Sequence, residues 1–256
     1  MRKVLFLLNA ASVCLVLFVN YYSQTGGING QTVGALSNEY DNLFTPASFA
    51  FSIWGIIFLG IIGLVVLQGI ALFRTSKGKD IFGKMGYTFA LVNLGNATWV
   101  VVWLYEWTFI SVLVMLGMLA GLLALLNKIS SISNQLSTTQ KLFVFGPLSI
   151  YAGWITVATI ANVAAYLAKI GWEGGFFSEV TWTIIMILVA VAVNFYVTWT
   201  KSVLSFSIVG IWALFAIYVR HQATYKTIAL VALSGLLVLS ASILIHFVRS
   251  RMVLAT

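Results

Sequence analysis

Asn93, Asn96 and Trp99 follow one another at three-residue steps in a stretch that carries no charge. At helical pitch such steps share one face. A second set, Pro147, Tyr151, Trp154, Ala158 and Asn162, recurs at three- or four-residue steps. It draws a polar and aromatic stripe, with small Ala158 leaving room. Amides supply hydrogen-bond donors and acceptors, and indoles supply flat apolar faces. These groups bind; they do not transform. The bland alternative for each Asn is a hydrogen bond to a neighbouring helix, worth about 0.6–2 kcal/mol in a membrane.

The groups that would make or break bonds are missing from the pattern. His221 reads as a loop residue, and His246 as interfacial. Two isolated histidines with no carboxylate in an apolar stretch give neither a metal-ligand cluster nor an acid–base pair. No lysine is central in a helix, and no glycine loop suits a phosphate. Cys14 is the only cysteine, so no internal disulfide forms. The expectation is a protein with no catalytic residues, no metal and no covalent cofactor, and not an enzyme.

The elements that must position these residues follow from composition. Apolar residues make up 61% of the chain and charged residues 8%, against about 25% charged in a soluble domain. Apolar runs of about twenty residues recur from end to end, the length a helix needs to span a bilayer. Strict alternation over about ten residues, which a barrel would show, is not seen. The reading is an all-α polytopic membrane bundle of about eight spans: 4–22, 48–73, 85–105, 108–126, 142–168, 180–199, 203–219 and 227–248. None holds Asp, Glu, Lys or Arg. The first resembles a signal peptide but has no small-x-small cleavage site, so residues 1–22 are read as retained.

The net charge of +8 sits in the connections, as membrane orientation requires, so no nucleic-acid partner is implied. With the N-terminus inside, the inner segments hold Arg2, Lys3, Arg74, Lys77, Lys79, Lys84, Lys128, Lys141, Lys201, Arg249 and Arg251. The outer segments hold only Lys169, Arg220 and Lys226, while the acidic Glu39, Asp41, Glu106, Glu173 and Glu179 fall outside. Both termini are therefore expected to be cytoplasmic, in a bacterial cytoplasmic membrane. The loop Arg220-His221-Gln222 fits this bias least well.

Two connections exceed a bare turn. The inner 127–141 reads as a solvated connector, and the outer 23–47 as a connector or a lid over a pocket. An aromatic belt at the membrane surface accounts for Trp103, Trp107, Trp172, Trp182 and Trp199. Trp54, Trp99, Trp154 and Trp212 lie deeper, and a deep indole N–H needs a partner. Trp54, Trp99 and Asn162 each lie roughly 9 Å from the outer end of their span, which puts them at one level beneath the outer loop. Asn96 and Ala158 fall about one turn deeper. Gly117-x-x-x-Gly121 offers a close-packing face.

The stretch Pro46-Ala-Ser-Phe-Ala-Phe-Ser-Ile-Trp54-Gly resembles the opening of the second helix in the translocator protein family, also called tryptophan-rich sensory proteins or TspO. Asn96-Ala-Thr-Trp99 is similar to that family's N-x-x-W on the third helix. Pro147 followed by Trp154-x-x-x-Ala158-x-x-x-Asn162 resembles its run on the fifth. The likeness covers about residues 1–168. It departs at the family's doubled proline, here Pro46 alone, at its Pro-Tyr pair, here Pro147-Leu148, and in three added spans.

The resemblance implies a five-helix bundle that binds porphyrins, sterol-like lipids and aromatic drugs in a pocket capped by the first loop. The chain then divides into a five-helix part, 1–168, and three further spans, 169–256. The expected function is binding or sensing of a flat hydrophobic ligand, a tetrapyrrole or a lipid, between the second, third and fifth spans. Trp54, Asn96, Trp99, Tyr151, Trp154, Ala158 and Asn162 would form the site. The expected partners are membrane lipid and a hydrophobic small molecule, and a homo-oligomer is admissible. The rival reading is a permease for a small neutral or lipophilic solute, although no intramembrane ionisable group beyond His246 and no inverted repeat supports it.

Overall fold

The computed structural model describes the chain except for Asp41, residues 74–80, Glu173 and Thr256, and except for the side chains of 250–255. The assignments of Arg74, Lys77, Lys79, Asp41, Glu173 and the Arg251 side chain to membrane sides lie outside the described residues.

Among the described residues the regular structure is all helical. The long helices are α1 (Arg2–Gln24), α3 (Ile53–Leu72), α5 (Thr88–Leu104), α6 (Thr108–Ser130), α8 (Gly146–Lys169), α9 (Glu179–Lys201), α10 (Leu204–His221) and α11 (Lys226–Ala255). Three short ones lie between them: α2 (Val33–Glu39), α4 (Ile81–Met85) and α7 (Thr138–Gln140). Seven of the long helices are apolar and long enough to cross a bilayer. The remaining one, α5, has 17 residues, or about 25 Å, at the lower limit for a span. It starts later than the expected 85–105 because Gly86 adopts a φ of 55°. That left-handed turn separates α4 from α5.

Other boundaries shift for equally local reasons. The second span opens as a 3-10 turn, Ser48–Ser52, before α3. The fifth begins earlier than 142, because a capping box between Ser137 and Gln140 starts α7. A π turn over Lys141–Phe145 then carries the chain into α8. Together they form one span, Thr138–Lys169. The inner connection 127–141 is therefore mostly helical and not a long solvated loop. His221 closes α10 and is buried, so it is not a loop residue.

α1, α3, α5, α6 and α8 pack on one another, with α8 the most enclosed of the spans. α9, α10 and α11 pack mutually and meet the first group chiefly where α10 lies along α8. There the backbones come close: a Cβ at Gly153 would stand 2.8 Å from the Phe206 carbonyl oxygen. The apolar core continues across this seam through Ile155, Phe206 and Val209. Small residues that let backbones approach are the normal device of membrane helices, where lipid removes the hydrophobic drive between them. The expected Gly117/Gly121 face is only half such a device. Gly121 meets Val92 of α5, but Gly117 faces open space. Outward faces carry exposed leucines and aromatics such as Leu7, Leu59, Leu91 and Phe109, suited to lipid contact.

Candidate functional site

Residues 25–40 and 42–47 fold back over one end of the bundle as a lid. Leu36 and Phe44 are buried and Val33 and Leu43 nearly so, which an exposed connector would not allow. α2 is started by the Thr32 hydroxyl, which accepts from Ala35 N–H. The lid is fastened to the α5 end. Trp103 Nε1 donates to Val33 O (3.4 Å), and Asn29 Nδ2 donates to Leu104 O (2.8 Å). Trp103 is 3% exposed and stacks on Trp99. It belongs to the interior, not to the aromatic belt, because the lid covers it.

The Tyr40 hydroxyl donates to the Glu106 carboxylate, and Lys169 forms an ion pair with the same carboxylate at 3.4 Å. Lys169 Nζ also lies 5.5 Å from the Tyr40 ring centre. The Tyr40 hydroxyl bond, helped by Lys169, holds the Glu106 carboxyl below its ordinary range. Burial, and then the Glu106 carboxylate, push the Tyr40 phenol upward. This is a titratable latch at the outer edge of the lid.

Beneath α2 lies a chamber of about 620 Å³, within the range usual for small-molecule sites. α1 contributes Leu17, Asn20, Tyr21 and Gln24; the lid contributes Val33, Gly34 and Asn38. The α3 side contributes Ser48, Phe51, Trp54 and Phe58, and α5 contributes Trp99. A narrow extension of about 40 Å³ adjoins it, sharing Val33, Phe51, Trp54 and Trp99. The extension runs to Trp154, Ala158 and Asn162 of α8. No charged side chain appears among the described residues that line either space.

Of the residues expected at the site, Trp54, Trp99, Trp154, Ala158 and Asn162 therefore come together around the chamber and its extension under the lid. Trp54 stands edge-on to both Trp154 and Tyr151. Asn96 and Tyr151 are buried behind this wall and line neither space. Asn20 Nδ2 donates to Asn96 Oδ1 (2.9 Å), and Asn96 Nδ2 donates to the Tyr151 hydroxyl (3.0 Å). That chain ties α1, α5 and α8. Asn162 is engaged likewise: its Oδ1 accepts from Trp99 Nε1 (2.9 Å) and its Nδ2 donates to Ser111 Oγ (2.8 Å). The amides of Asn96 and Asn162 are thus committed to neighbouring helices, and the interhelical role accounts for them. Trp154 differs. It is 2% exposed, and its indole N–H has no acceptor.

Asn20, Phe51 and Phe58 were not anticipated as lining residues. Phe51 stands inside the Pro46…Trp54 stretch and Phe58 one turn beyond Trp54, so helical spacing from Trp54 was the available signal. Trp212, the remaining deep indole, packs against Phe49 and lines neither space. Among the described residues, no group of three or more His, Cys, Asp or Glu is placed to hold a metal ion.

The family model described as TSPO-like protein matches residues 6–245. The chain belongs to the TSPO-like protein family. Comparison with curated proteins and with solved structures returns no match. The TSPO-like match extends well past residue 168 and takes in α9, α10 and most of α11. In this TSPO-like chain residues of the three motif stretches line the chamber or its narrow extension. A smaller cavity of about 210 Å³ lies apart from it, between the lid at Phe44, the end of α8 and the start of α9.

Proposed function

We propose that this TSPO-like membrane protein binds a flat, largely apolar small molecule in the chamber beneath α2. The carrying observation is the aromatic lining itself: Phe51, Trp54 and Trp99 border both the chamber and its extension. An apolar cleft with few converging polar groups is the usual form of such a site. Trp54 and Trp99 would enclose the ring system. The Trp154 N–H would donate to an oxygen or nitrogen at the ligand's narrow end, since a buried donor without a partner costs about 1–3 kcal/mol.

The lining also constrains charge. A porphyrin or a sterol-like lipid fits the apolar walls, but an ionised group would have to face the polar mouth near Gln24 and Asn38. Burying a carboxylate among uncharged walls would be costly. The reading further places the lid end outside and both termini in the cytoplasm, and it takes the bound molecule to be released chemically unchanged.

The test is a titration of the purified protein with protoporphyrin and with its dimethyl ester, followed by the probe's own absorbance. Saturable binding, with the ester at least as tight as the free acid, is expected. Replacement of both Trp54 and Trp154 by Ala should abolish it. Saturable binding that survives that double replacement overturns the site.

A further inference from the structure

α10 lines neither the chamber nor its extension, yet it holds the segment that does. Trp212 Nε1 donates to Ala50 O (3.1 Å), and Ala47 N–H donates to Ala216 O (3.2 Å). Arg220 Nη1 donates to Thr45 O (3.0 Å), and His221 Nε2 lies 2.8 Å from Leu43 O. The Phe49 ring stands edge-on to Trp212 at 5.3 Å. From Leu43 to Ala50, a backbone group is answered by α10 every two or three residues. Directly after this segment come Phe51 and Trp54, the wall between the two spaces.

The segment has little regular structure of its own. Residues 43–44 form a turn, 45–47 have no regular structure, and 48–52 form a 3-10 turn. Such a stretch has few internal hydrogen bonds, and its carbonyls must find partners elsewhere. Here the partners come from a helix more than 160 residues away in sequence.

We infer that α10 is the positioning element of the chamber. Trp212, Arg220 and His221 fix residues 43–50 so that Phe51 and Trp54 present a rigid wall, and the C-terminal helices thereby set the affinity of a site they do not touch. The physical basis is preorganisation: a wall already held in its bound geometry loses less freedom when the ligand arrives. The inference rests on the chamber being the ligand site.

The experiment uses the full chain in lipid nanodiscs and protoporphyrin as probe, read by its own absorbance. Trp212→Phe keeps a ring beside Phe49 but removes the indole donor. His221→Phe removes the contact to Leu43. The double variant should bind the same number of probe molecules per chain about tenfold more weakly, the scale on which preorganisation acts. If the double variant does not fold, Trp212→Phe alone is read in the same way, with a loss of about threefold.

Rescue separates positioning from general damage. Ala47 N–H and Ala216 O share a backbone hydrogen bond, so a cysteine pair at these two positions, once its oxidation is verified, is a covalent substitute for the lost α10 contacts. In a Cys14→Ser background, Ala47→Cys with Ala216→Cys should restore affinity to the weakened variant on oxidation and lose it again on reduction. Parental affinity in the weakened variant, or no recovery on cross-linking, overturns the inference. Trp54→Ala serves as the separating control. If it abolishes binding while the α10 variants do nothing, only this inference fails. If it too leaves binding intact, the chamber reading fails.

Discussion

Trp154 and Asn162 lie two helical turns apart on α8, and they make opposite predictions. Trp154 carries an indole N–H with no acceptor in a buried setting. Trp154→Phe should leave thermal stability unchanged or raise it slightly, because the unpaired donor disappears. It should weaken an acceptor-bearing ligand by about two- to tenfold, the net worth of one hydrogen bond. An arene without an oxygen, such as pyrene, should not register the change. Asn162 is fully employed between Trp99 and Ser111. Asn162→Leu leaves the Trp99 N–H without its acceptor and should cost about 1–3 kcal/mol, read as a lower unfolding temperature. Residue spacing made both positions legible, because one helical face and one depth are set by pitch alone. Spacing could not say which polar groups were already paired. Asn96 of the α5 face and Tyr151 of the α8 stripe bond to each other, and Asn96 also accepts from Asn20, a choice that depends on where α1 packs.

The lid is the element whose working depends most on charge. Glu106 accepts from Tyr40 and faces Lys169, and its carboxyl is held below the ordinary value of 4.5. A carboxyl lowered in the closed form stabilises that form above its open-state value, and the contribution is lost as pH falls through the lowered value. Tyr40 is raised above 10.0 in the closed form, so its contribution is present at lower pH and fades only under alkaline conditions. The latch is therefore intact through neutral pH and weakens in acid, below about 4.5. Hydrogen exchange of residues 33–40 should accelerate as pH drops through that window, after correction for the intrinsic rate. In Tyr40→Phe the exchange should already be faster at neutral pH, and its acid dependence should be shallower. Equal protection in the two proteins at pH 7 would remove the latch. α2 itself was not legible, since seven mostly small or polar residues, Val33 to Glu39, carry no long apolar period. Its helical state comes from the Thr32 cap and from seating Val33 and Leu36 in the bundle, a tertiary gain that no local pattern announces.

At the scale of the whole molecule the two ends of the bundle differ in charge. The end opposite the lid carries Arg2, Lys3, Lys84, Lys128, Lys141, Lys201 and Arg249; the lid end carries Lys169, Arg220 and Lys226. Two of the three at the lid end have specific work there: Lys169 pairs with Glu106 and Arg220 donates to Thr45 O. The loop that fitted the charge bias least is thus explained by the lid, which the sequence could not disclose because the partners lie 175 residues apart. The apolar runs, by contrast, were plain in the sequence, since spanning a bilayer demands them locally. The remaining asymmetry predicts that the lid end faces outward and the Lys128 end the cytoplasm. In a Cys14→Ser background, Thr25→Cys places a thiol at the start of the lid and Ser131→Cys places one at the opposite end, both at exposed positions. A membrane-impermeant maleimide added to intact cells should label the Thr25→Cys variant alone, and permeabilised cells should show both. Labelling of the Ser131→Cys variant in intact cells would invert the orientation, and the chamber would then open toward the cytoplasm and sample a different pool of ligands.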